Sequence, residues 1–103
     1  MYKLIFFCPE DSAEQVKEAI FEAGAGHIGN YRRCSWQSLG QGQFQAMEGA
    51  NPVIGEVNKL EKVNEYRIET LVHQDALDPV ICALIKTHPY EEPAWEVYKL
   101  HLP

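Results

Sequence analysis

An α+β fold, a split βαβ sandwich with an antiparallel sheet and two helices on one face, is what this sequence predicts. Three observations predict it. Strand-like and helix-like segments alternate as β, α, β and, after an excursion, β, α, β. Both helical segments carry apolar residues at helical spacing, so each has a side that must be covered. Residues 65–72 alternate, with Tyr66, Ile68, Thr70 and Val72 on one face and Glu65, Arg67 and Glu69 on the other. One sheet face is therefore covered and the other is not. Two βαβ halves in 103 residues are the ferredoxin-like arrangement. A chain of this length forms one domain, 1–103, with no room for a second core.

The elements follow in order. Residues 2–8 are aromatic and apolar and stop at Pro9, as a central strand does. Ser12-Ala13-Glu14-Gln15 reads as a capping box opening a helix over about 12–24, with Val16, Ala19, Ile20 and Ala23 on its apolar side. Gly24 stands where a C′ glycine belongs. Residues 24–29, Gly-Ala-Gly-His-Ile-Gly, match the G-x-G-x-x-G dinucleotide pattern in spelling only. In that motif the glycines follow a strand and open a helix, whereas here they close a helix and lead into a strand.

Residues 30–38 read as an extended strand, and 38–60 as a long glycine-rich excursion holding a short strand at 43–46. Loops this long in a small domain serve binding or assembly. The alternating strand begins at Lys62. Asp75 or Asp78 caps the second helix, where Leu77, Val80, Ile81, Leu84 and Ile85 form the apolar stripe. His88-Pro89 ends that helix, and 94–100 is the last strand.

Composition narrows the function classes. A net charge of −6, with Arg32-Arg33 the one adjacent basic pair, excludes a phosphate-backbone binder, so no nucleic-acid partner is expected. The apolar run Leu4–Cys8 is too short for a signal core or a membrane span. Cys8, Cys34 and Cys82 are odd in number and unclustered, which suits reduced thiols in a cytoplasm. No base stands near any of them in sequence, so a thiol nucleophile is unsupported.

The polar corner His88-Pro89-Tyr90-Glu91-Glu92-Pro93-Ala94 combines an imidazole, a phenol and two carboxylates between stiff prolines. It reads equally as a site and as a helix terminator. The four histidines, at 27, 73, 88 and 101, have neither zincin nor zinc-finger spacing. A site built from His88 with Glu91 or Glu92, completed by another subunit, is the metal arrangement left open. Adjacent Glu91 and Glu92 point to opposite sides of an extended chain, which makes them poor partners for paired acid–base work.

The His-Pro-Tyr-Glu-x-Pro string resembles the end of CutA proteins, trimeric relatives of the PII signalling proteins. Together with Gly24–Tyr31, Cys34-Ser35, Gly40-x-Gly42-x-Phe44, Asn51-Pro52-x-Ile54-Gly55 and Glu65-x-Arg67-Ile68-Glu69, it is similar to the PII-like domain inserted in YqfO proteins of the NIF3 (NGG1p-interacting factor) family. The resemblance runs from about residue 4 to 100. It implies a PII/CutA-like homotrimer that binds a small molecule, or a divalent metal ion, in clefts between subunits. Gly40, Gly42, Phe44, His88, Tyr90 and Glu91 are then the candidate ligand residues, and His88, Glu91 and Glu92 the candidate metal set. The dinuclear metal site and GTP-cyclohydrolase-like hydrolysis of YqfO proteins belong to a flanking domain, so this domain is expected to stand without them. The expected role is a non-catalytic sensing or regulatory module. A CutA-type metal protein is the alternative, and a metal-dependent hydrolase comes after it.

Overall fold

The structure, a computed structural model, describes residues 1–101; the last two residues of the single-domain assignment lie outside the described residues. In chain order the elements are β1 (Tyr2–Pro9), α1 (Ala13–Glu22), β2 (Trp36–Gln45), β3 (Leu60–Val72), α2 (Leu77–Thr87) and β4 (Trp95–Lys99). The strands form one antiparallel sheet in the order β2-β3-β1-β4. This is the split βαβ sandwich that the alternation predicts.

Leu4, Phe6 and Cys8 of β1 and Ile68 and Val72 of β3 point to one side, where they meet Val16 and Ile20 of α1 and Val80 and Leu84 of α2. All nine are completely buried. Burying a side chain of this kind contributes about 1.5–3 kcal/mol. The opposite face of the sheet carries Lys3, Ile5 and Phe7 opposite Tyr98, Glu96, Glu69 and Arg67, with no helix above it. Ion pairs from Lys3 and Arg67 converge there on Glu69, at 3.3 and 3.1 Å.

α1 ends in a Schellman motif. Ala25 N–H donates to Ile20 O at 3.0 Å and Gly24 N–H to Phe21 O at 3.1 Å, with Gly24 at φ +120. Its start corrects the capping-box expectation, because Ser12 makes no side-chain cap bond. Ser12 has helical dihedrals (φ −107, ψ −9), and the hydroxyl needs an extended residue to reach the free N–H groups. The cap expected from Asp75 or Asp78 also fails. A 3-10 turn over Gln74–Ala76 leads directly into α2, so both aspartates lie within helical turns and Ala76 holds the cap position. Asp78 still faces the positive end of the helix dipole.

The larger correction concerns β2. Residues 30–35 are not strand: Arg33 sits at φ 60, and Ile28 and Tyr31 close a tight turn through reciprocal backbone bonds of 2.9 Å. One strand runs over 36–45 instead, joining the expected pieces at 36–38 and 43–45, so Gly40 and Gly42 belong to a strand and not to a loop. β2 pairs with β3 from Trp36↔Glu69 to Gln45↔Leu60, whereas β1 reaches only to Glu65. The far half of the β2–β3 pair is therefore a two-stranded arm, and it helps stretch the molecule to 46 × 24 × 24 Å. Among the described residues no helix is long and apolar enough to cross a membrane.

Candidate functional site

The arm and the 88–94 corner meet on the helix-free face of the sheet. Between them lies a cavity of about 390 Å³. Its floor is Phe7 of β1 with Gly42 and Phe44 of β2, its outer wall is the segment from Ala46 to Ile54, and Tyr90, Glu91, Glu92 and Ala94 close the remaining side. Phe44 and Tyr90 meet edge to face, their centroids 5.9 Å apart at 62°.

Two hydrogen bonds tie the walls together. Tyr90 OH donates to Glu65 Oε2 at 2.7 Å, and Asn51 N–H donates to Glu91 Oε1 at 3.2 Å. Burial pushes the Tyr90 phenol up from its ordinary pKa, and the Glu65 carboxylate beside it pushes the same way, so the phenol keeps its proton. Gly42 lies beneath the Glu65 carboxylate, where a Cβ would collide with it. A side chain added at Gly42 would have to displace that carboxylate.

His88 has a different task. Its backbone is extended (φ −64, ψ 135), as expected of a residue before proline, and it ends α2. The ring is buried, with Nε2 2.7 Å from Phe7 O and Nδ1 accepting from Tyr90 N–H at 3.1 Å. An acceptor at Nδ1 and a carbonyl facing Nε2 fix the neutral tautomer with the proton on Nε2. Burial lowers the pKa, outweighing the Phe7 carbonyl and the Glu65 charge, which favour the cation. Phe7 N–H meanwhile donates to Ala94 O at 3.2 Å, so both sides of the corner are pinned to the end of β1.

Of the ligand candidates, Gly42, Phe44, Tyr90 and Glu91 line the cavity, whereas Gly40 and His88 do not. Glu92, expected only in a metal set, does line it. The expected combination of His88 with Glu91 and Glu92 is not assembled within one chain. The Nδ1 lone pair is already engaged, and among the described residues no three His, Cys, Asp or Glu side chains are grouped to hold an ion. Sequence reasoning missed Phe7 and Glu65, and it held the apolar run Ala50, Pro52, Val53 and Ile54 only as part of the 38–60 excursion expected to serve binding or assembly. The strict alternation of β3 does place Glu65 on the helix-free face; what it cannot show is that the corner folds back over that face.

No family model matches the chain. It is 50% identical to a "GTP cyclohydrolase 1 type 2 homolog" of Halalkalibacterium halodurans and 48% identical to one of Bacillus subtilis, over 97% and 93% of its length. A Bacillus cereus protein related to NIF3 superposes with a TM-score of 0.81 at 43% identity, over 96% of this chain and 25% of that one. The chain is similar over nearly its whole length to one part of NIF3-related proteins, and its fold is PII/CutA-like. The PII/CutA-like part of that description rests on the fold shared with the periplasmic divalent cation tolerance protein CutA from Archaeoglobus fulgidus. That match has a TM-score of 0.70 at 16% identity and covers 100% of this chain and 87% of that one. The chain spans about a quarter of the curated relatives it matches, 27% and 26% of their length.

Proposed function

We propose that this domain is a non-catalytic small-ligand-sensing or regulatory module that works as a homotrimer, with the cavity as its ligand site. The observation carrying this reading is the cavity itself, lined by four segments distant in sequence and tied by the Tyr90–Glu65 and Asn51–Glu91 bonds. Pockets of this size with few polar groups are what small molecules occupy. The helix-free face, carrying half-exposed Trp36 and Tyr98, supports assembly through the sheet, and a domain this small gains stability by it.

The chemistry at hand favours binding over turnover. Burial pushes the Cys8 thiol up to about 12, with Glu65 and Asp11 adding to the shift, so it is held as an unreactive thiol. The Tyr90 phenol is protonated, and His88 has both nitrogens engaged. Light scattering at micromolar concentration is expected to give three times the 11.7 kDa chain mass. A monomer there rules the reading out.

The metal alternative retains Glu91 and Glu92 at the cavity but loses His88. Calorimetric titration with copper, zinc and manganese is therefore expected to give the same result for the wild type and for folded His88→Ala. Binding that vanishes in the variant would restore His88 as a ligand.

A further inference from the structure

We propose that the cavity selects an organic cation: an ammonium or amidinium group carried on an apolar or aromatic body. The inference rests on the small-ligand reading above and specifies its ligand. Three carboxylates line the cavity, those of Glu65, Glu91 and Glu92, and no Lys, Arg or His does. A phosphate or carboxylate ligand would face three negative groups with no counter-charge, so an anionic nucleotide is disfavoured. The nearby guanidinium is that of Arg67, 6.0 Å from the Phe7 ring centroid, and its Nε is bonded to Glu69 Oε2 at 3.1 Å.

The carboxylates are also placed to receive a donor. Glu65 gives one oxygen to Tyr90 OH and Glu91 gives one to Asn51 N–H, so each retains a second oxygen. Glu65 is held over Gly42, where any side chain would displace it. Apart from the neutral amide of Gln43, the remaining lining is apolar or aromatic. Phe7, Phe44 and Tyr90 offer ring surface to a flat body and to its charge, and Pro52 and Ile54 offer aliphatic contact. A volume of about 390 Å³ suits an aromatic amine and is small for a nucleotide in an extended pose.

A charge series tests this. Tryptamine, indole-3-ethanol and indole-3-propionate share one body and are cationic, neutral and anionic at neutral pH. They are titrated calorimetrically into the 103-residue chain, into Glu65→Gln and into Glu96→Gln, which removes a carboxylate elsewhere on the same sheet face. Tryptamine is expected to bind about tenfold or more tighter than indole-3-ethanol, with indole-3-propionate weakest. That preference shrinks as salt is raised, falls severalfold in Glu65→Gln, which keeps an acceptor for Tyr90, and survives in Glu96→Gln.

Equal affinity for the three, or a preference untouched by Glu65→Gln, overturns the cation assignment. Tightest binding of the anion, lost when Gly42→Ala pushes Glu65 into the cavity, overturns it too but leaves the small-ligand reading standing. No binding by any of the three overturns both and leaves a second copy of the chain as the occupant. If Glu65→Gln does not fold, the wild-type charge series with its salt dependence still decides.

Discussion

Replacing His88 with alanine is expected to cost about 2–5 kcal/mol, a large part of the stability of a domain this size. The loss comes from what the ring leaves behind. Phe7 O and Tyr90 N–H are bonded to its two nitrogens at 2.7 and 3.1 Å, in a place where water does not substitute freely. Each buried group left unsatisfied costs about 1–3 kcal/mol. Thermal unfolding should therefore shift down by on the order of 10 °C or more. His88→Asn, which keeps an acceptor near the Nδ1 position, is expected to fall between the two. A melting temperature unchanged in His88→Ala would show that the corner is not held by the imidazole.

The same group makes stability depend on pH. The folded-state pKa of His88 lies below its unfolded value of about 6.5, so the unfolded chain binds the extra proton first. The stability contributed by neutral His88 is complete above about pH 6.5 and declines as pH falls from there towards the folded pKa. Protonation would also set the new Nδ1–H against Tyr90 N–H, donor against donor. The stability gap between the wild type and His88→Asn is accordingly expected to narrow in acid, in denaturant titrations at pH 7.5 and 5.5. A gap constant with pH would place the proton elsewhere.

Gly26→Ala is the second large effect, at about 2–5 kcal/mol. Gly26 has φ +73, and a Cβ there would lie 2.8 Å from Cys34 O and 2.9 Å from Cys34 N. Neither backbone atom can move cheaply, because Cys34 N–H donates to Gly26 O at 3.0 Å and Gly26 N–H donates to Leu71 O at 2.8 Å. Gly29→Ala supplies the comparison. It has φ +54 but open space around it, so it should cost only the left-handed backbone penalty of about 1–2 kcal/mol. Chemical denaturation of both variants checks the difference, and equal losses would mean that the contact with Cys34 is unimportant. The measurement also bears on the Gly-Ala-Gly-His-Ile-Gly string, whose first two glycines close α1 and admit the approach of the Cys34 backbone.

The parts of the fold legible in the sequence are those whose pattern is set by burial. β1, α1, β3 and α2 each place side chains against one shared core, and the 2.0 and 3.6 periods record that directly. β2 was legible only in part: 36–38 and 43–45 read as pieces of two separate strands, but their continuity through Gly40 and Gly42 was not readable. Its outer half, Gly40 to Gln45, lies beyond β1 and buries no side chain in the core, so no apolar period marks it. Its glycines and glutamines carry the composition of a loop, and what holds them extended is the ladder to Leu60–Glu65. Residues 30–35 misled in the opposite sense, because aromatic and arginine side chains read as strand while Arg33 takes a left-handed turn.

The 88–94 corner shows the same division. From sequence alone came a stiff junction ending α2, its non-helical backbone, and its likeness to the PII/CutA-like architecture. The carboxylates of the corner were also readable as candidates. The tertiary structure decided which of its groups face a ligand. It turned His88 inward, because Phe7 O beside the corner needs a donor there, and it brought Glu65, Gly42 and Phe44 against Tyr90 from strands up to about 50 residues away in the chain. Local sequence fixes backbone geometry through sterics and proline; which side chains converge depends on strand register and on the path of the arm, and those are set by contacts between distant segments.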